Sequence, residues 1–113
     1  MRALLLCTVL ATCPLAALAV GFNDDDPPTP TETTKTCTDG QVWDAETESC
    51  IDPDKSGLND ADRMKAVREL AYAGRITDAE RVLNAVVDQD SDAVLTYRGF
   101  TARKAGRTED AYE

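Results

Sequence analysis

The chain has 113 residues, 29% of them charged and 5% aromatic, with no histidine, 21 acids against 12 bases and a formal charge of −9. A phosphate backbone is bound through a basic patch, so this balance argues against nucleic acid as a partner. Without histidine, and with no lysine or serine set beside an evident base, the nucleophile and base pairs of covalent catalysis are missing. No enzymatic activity and no cofactor is expected.

Residues 1–19 read as a signal peptide. Arg2 gives a minimal positive start, an apolar run follows, and Ala17-Leu18-Ala19 supplies the small-x-small pattern that precedes cleavage, expected here between Ala19 and Val20. A membrane-spanning helix needs about 20 apolar residues, whereas this run passes straight into Asn23-Asp24-Asp25-Asp26-Pro27-Pro28. The chain is therefore expected to be exported, periplasmic or secreted, and not membrane-spanning. The alternative is a lipoprotein, because Leu10-Ala11-Thr12-Cys13 loosely resembles a lipobox with Cys13 as the acylated residue. Loss of residues 1–19 leaves 11 bases and 21 acids, a formal charge of −10.

Residues 20–36 carry four acids and one lysine, three prolines and a run of Thr and Glu, with no apolar side chain after Phe22. Too little surface is available there to offset the entropy of ordering, so a disordered acidic tether is expected. Residues 37–58 follow as a compact unit of their own. Cys37 and Cys50 are the only cysteines after the leader and are expected to pair. Gly40 suits a turn, Gln41-Val42-Trp43 a short strand, and residues 44–48 a second turn, giving a disulfide-closed β-hairpin. Asp52-Pro53-Asp54-Lys55-Ser56-Gly57 superficially resembles a calcium loop, but its twelfth position is Arg63 where a bidentate Glu is required. The acids Asp88, Asp90 and Asp92 lack the glycine and the closing Glu, so no metal site is expected.

Residues 59–113 read as helices. Asn59 is an N-cap with Asp62 placed to return the bond, Met64, Val67, Leu70 and Ala71 follow at helical spacing, and Gly74 is the C-cap. Thr77 and Glu80 are expected to open a second helix with Ala79, Val82, Leu83, Val86 and Val87 on its apolar face. Ser91 or Asp92 caps a third helix running to Gly106, and a fourth starts at Thr108. Ala73-Gly74-Arg75-Ile76-Thr77-Asp78-Ala79 returns as Ala105-Gly106-Arg107-Thr108-Glu109-Asp110-Ala111 at an offset of 32 residues. A fixed period of roughly 20 to 50 residues marks a stacked repeat.

The unit resembles the tetratricopeptide repeat, which places a glycine in its first helix, a second at the turn and an alanine beyond it. Gly99, Gly106 and Ala111 match in the second copy, with Leu95 opening the pattern. Gly74, Ala79, Leu83 and Val86 match in the first, where Val67 stands at the first glycine. The resemblance implies a mainly α fold: antiparallel helical-hairpin repeats, the start of an α-solenoid, preceded by the small hairpin and the tether. It also implies a protein- or peptide-binding scaffold whose groove is lined by Met64, Arg68, Tyr72, Phe100, Arg103 and Lys104, a basic and aromatic set suited to an acidic partner. Such repeats bury their faces by stacking. The second copy stops at Glu113, so the chain is expected to be a fragment of a longer array, or else to self-associate through the unfinished repeat. The alternative function centres on Trp43: Cys-x-x-Gly-x-x-Trp-Asp closing on Cys50 looks like part of a peritrophin-type chitin-binding module, which implies carbohydrate or cell-wall binding with the helices as spacer.

Overall fold

A computed structural model describes residues 26–55 and 57–109. The expectations for the leader, for Cys13, for most of the tether's acid run and for Ala111 lie outside the described residues. Within them the fold is mainly helical, with α1 Glu32–Lys35, β1 Val42–Asp44, β2 Ser49–Ile51, α2 Asp60–Tyr72, α3 Ile76–Ala85 and α4 Asp92–Lys104 in chain order. Helix α2 is central and packs against α1, α3 and α4.

Part of the expected tether is ordered. Thr31 caps α1 by accepting from the Thr33 amide, and this short turn docks on α2 because Glu69 accepts hydrogen bonds from the Thr31 amide (2.7 Å) and from the Thr31 and Thr34 hydroxyls (2.8 and 2.7 Å). Hydrogen bonding from threonines to one carboxylate replaces the apolar contact this stretch lacks.

The disulfide-closed hairpin forms, with its first strand one residue later than the expected Gln41-Val42-Trp43; it is antiparallel with Val42 opposite Ile51 and Trp43 opposite Cys50, and Cys37 bonds to Cys50. Its turn is held by Asp44, whose carboxylate accepts from the Glu46 amide and the Thr47 hydroxyl. Those bonds, the Thr47 hydroxyl's first, hold the Asp44 carboxyl below its ordinary value. The hairpin is not a separate unit, however. Val42 and Leu58 belong to the same apolar core as Val67, Leu70, Val82, Leu83 and Val94, and Arg81 of α3 reaches the Asp39 carbonyl and the Asp52 carboxylate. A two-stranded hairpin has too little core to stand alone, and it acquires one from α2 and α3.

The stretch that resembles a calcium loop closes on a side chain of the protein. Arg63, 6% exposed, donates from Nε to the Pro53 carbonyl (2.7 Å) and from Nη2 to the Lys55 carbonyl (3.3 Å), and pairs with Asp60 (2.9 Å). The residue that spoils the metal loop thus supplies the positive charge at its centre.

Asn59 caps α2 as expected, accepting from the Asp62 amide (2.8 Å). The Asp62 carboxylate lies 4.0 Å from Lys65, so the cap is one-sided. At the far end Gly74 has φ +78°, the Gly74 amide donates to Ala71 and the Arg75 amide to Leu70. That is the Schellman arrangement, in which a left-handed residue lets the last helical carbonyls find donors. It recurs 32 residues on: Gly106 has φ +80°, its amide donates to Arg103, and the Arg107 amide donates to Ala102.

Two expectations for α3 need correction. Thr77 does not cap it; the helix opens one residue earlier, at Ile76, with Arg75 in the cap position and no side-chain cap bond. The Schellman bond to Leu70 fixes the path of Arg75, and its guanidinium instead pairs with Asp78 in the first turn (2.7 Å). Val87 does not join the apolar face and is 79% exposed. The helix stops at Ala85, Val86 is extended, and the amides of Val87 and Asp88 are both held by the Asp60 carboxylate (2.9 and 3.0 Å). These two bonds, Val87's first, keep the Asp60 carboxyl below its ordinary value. Helix α4 begins at Asp92 with the Ser91 hydroxyl accepting from the Val94 amide.

Candidate functional site

Along α2, Met64, Arg68 and Tyr72 recur every four residues and therefore share one face. Helix α4 lies alongside it and presents Ala93, Thr96, Tyr97, Phe100 and Arg103. Between the two helices is a groove of about 550 Å³, whose walls also include Ala61 and Lys65. Five of the six residues expected from the sequence, Met64, Arg68, Tyr72, Phe100 and Arg103, are brought together in it.

The groove floor is aromatic. Tyr72 stacks on Phe100 with centroids 5.9 Å apart at 21°, and Tyr97 meets Phe100 edge-on at 6.0 Å. Such pairs contribute about 1 kcal/mol beyond simple burial, and the Tyr72–Phe100 pair joins α2 to α4. Cations rim this floor. The Arg68 guanidinium lies 5.7 Å from the centroid of the Tyr72 ring. Among the described residues, Lys65, Arg68 and Arg103 line the groove and no acid does.

Lys104 stands apart from the other five. Its ammonium is 5.6 Å from the Phe100 ring, and it lines a neighbouring cavity with Gly74 and Ile76. Tyr97 was missed from the sequence although it sits three residues before Phe100, a spacing that puts both rings on one helix face. Of the repeat-defining residues, Gly74 and Gly106 form the paired caps, Ala79 is fully buried against the core and Gly99 is half-buried on α4. Leu95 is 54% exposed.

Trp43 is half-buried on β1, and its amide donates to the buried Thr33 hydroxyl (3.1 Å). Trp43 lines a smaller cleft of about 290 Å³ between the hairpin and α2, together with Asp44, Glu46, Asp62 and Lys65. Among the described residues no group of His, Cys, Asp and Glu is placed to hold a metal ion, and no helix is long and apolar enough to cross a membrane. Compared with known proteins, the chain matches no family model, no curated protein and no solved structure.

Proposed function

We propose that this chain is an exported, non-catalytic scaffold of tetratricopeptide-like helical hairpins that captures an acidic stretch of another protein or peptide in the groove between α2 and α4. One observation carries this reading: on a chain of formal charge −9, the described residues that line the groove include three cations and an aromatic trio and no acid. Arg68 and Arg103 are suited to fork onto carboxylates, and the ring surface accepts apolar side chains between them. The repeated Schellman caps at Gly74 and Gly106 support the repeat architecture, and the Cys37–Cys50 disulfide supports an oxidising compartment.

Exposed ion pairs contribute at most about 1 kcal/mol each. Three such pairs supply at most about 3 kcal/mol, so apolar contact with the rings must supply the remainder of an affinity expected in the range of about 10 to 1000 μM, weakened by salt. Fluorescence polarisation with a labelled peptide carrying three consecutive aspartates tests it, with an asparagine copy of the peptide as control. Arg68→Ala with Arg103→Ala should weaken the acidic probe about tenfold, while Trp43→Ala leaves it unchanged.

A second reading is favoured by the cleft lined by Trp43, where an aromatic residue stands with Asp44, Glu46 and Asp62, a combination suited to a sugar. Capture of a glycan that depends on Trp43 and ignores Arg68 and Arg103 would put carbohydrate binding in first place.

A further inference from the structure

The groove between α2 and α4 continues past its aromatic floor. Tyr72 and Phe100 also line a second cavity of about 340 Å³, together with Ala71, Gly74, Ile76 and Lys104. Tyr72 and Lys104 are the last residues of α2 and α4, so the two helices end side by side at this cavity. Ala61 and Ala93, from the first turns of the same helices, both line the groove at its opposite end. The two ends are unlike in charge. Asp60, Asp62 and Asp92 stand in the first turns, whereas Arg103 and Lys104 stand in the last turn of α4. Among the described residues no acid lines the second cavity.

Charge decides which way a bound segment runs. An acidic stretch seated on Lys65, Arg68 and Arg103 is repelled at the end of the three aspartates and meets cations and apolar side chains at the other. Arg68 is oriented for that contact, since its Nη2 donates to the Asp26 carbonyl (2.7 Å) and its guanidinium lies 5.7 Å from the Tyr72 centroid. Tyr72 borders one more cavity, of about 260 Å³, shared with Pro27, Pro28 and Pro30, but Glu69 lines that one and no cation does among the described residues. The cavity at Lys104 offers hydrocarbon from Ala71, Ile76 and the two rings, and it is large enough for one bulky apolar side chain. Arg68 and Tyr72 are one helical turn apart, about 6 Å, so an extended chain passes from the cations to this cavity in about two or three residues.

We infer that the partner is an acidic segment carrying a large aliphatic or aromatic side chain about two or three residues from its acids, and that this side chain enters the cavity of Ile76 and Lys104. The cations select the charge and the cavity selects the neighbouring residue. The inference rests on the reading of the groove as an acid-binding surface, and it adds a second requirement that a purely acidic stretch does not meet.

The test uses the full oxidised chain and three labelled peptides. The first has three aspartates, two glycines and a leucine; the second has serine in place of leucine; the third keeps leucine and has asparagines in place of the aspartates. Each is also made in reversed order, because either chain direction satisfies the geometry. Polarisation measures affinity, and the Ile76 methyl resonances are followed by NMR. The leucine peptide, in at least one order, should bind about tenfold more tightly than its serine counterpart. It should also move the Ile76 methyls, which the serine peptide leaves in place. Ile76→Ser should erase the preference for leucine without changing the affinity for the serine peptide, and Ile76→Leu should keep it. Equal binding of the leucine and serine peptides in both orders, with both tighter than the asparagine peptide, overturns the inference while leaving the scaffold intact. A preference for leucine with the Ile76 methyls unmoved overturns it by placing the side chain elsewhere. Equal affinity for the aspartate and asparagine peptides removes the acid-binding reading itself, and the inference with it.

Discussion

Glu69 is a carboxylate 7% exposed at the start of the last turn of α2, and it takes the amides and hydroxyls of Thr31 and Thr34 from a segment 35 to 38 positions away. Burial pushes its carboxyl up, but the hydrogen bonds from Thr34 and Thr31 outweigh burial and leave it below the ordinary value of 4.5. The unfolded chain therefore takes up this proton first as pH falls. The stabilisation is complete above pH 4.5 and is lost as pH drops through the folded value. Glu69→Gln should cost about 2 kcal/mol near neutral pH, because several donors then share a weaker acceptor. Denaturant melts of parent and variant check this, and the gap between them should close in acid. Asp44 and Asp60 shift in the same direction, so the difference between the two proteins, not the parent's own acid curve, isolates Glu69. Nothing in the sequence marks Glu69, since a pairing over that separation leaves no periodicity and a Thr-rich stretch after prolines looks like tether.

The helices show which local signals suffice. Asn59, Ser91, Gly74 and Gly106 were readable because a cap is decided within four or five residues. At Gly74 and Gly106 an added Cβ would meet nothing within 4 Å among the described residues, so the cost of a side chain there is set by conformation. Gly74→Ala and Gly106→Ala should each lose about 1 kcal/mol by thermal unfolding, and the asparagine variants should recover part of it. A loss several times larger at either site would mean that the turn also carries a contact. Part of the candidate groove was readable for a similar reason: Met64, Arg68 and Tyr72 share a face by the four-residue row alone, and Phe100 stands 32 residues after Arg68, whereas the same offset from Tyr72 leads to Lys104, and Arg103 came from the resemblance alone. Val87 was misplaced because periodicity assumes that the helix continues, and Asp60, 27 residues earlier, ends it by holding the amides of Val87 and Asp88. The contribution of Arg63 to the linker was hidden in the same way, its partners being main-chain carbonyls that carry no residue identity.

At the scale of the molecule, hairpin and helices share one core through Val42 and Leu58, so they should unfold together. Near-UV circular dichroism from Trp43 and the far-UV helix signal are expected to give coincident thermal transitions. Replacing Cys37 and Cys50 with serine should lower both by the same amount, with a cost of up to about 3 kcal/mol. A Trp43 transition that separates from the helix signal would mean that the hairpin is a module of its own. The same covalent link has a mechanical consequence. A chain pulled from its two ends cannot lengthen between Cys37 and Cys50, whose separation is 13 residues, so the oxidised protein should extend roughly 40 Å less than the reduced one. Load arriving from the N-terminal side meets the bonds of the Asp26 carbonyl to Arg68 and of Thr31 to Glu69 before it reaches that fixed link, so the segment over α2 peels away before that load passes through the disulfide.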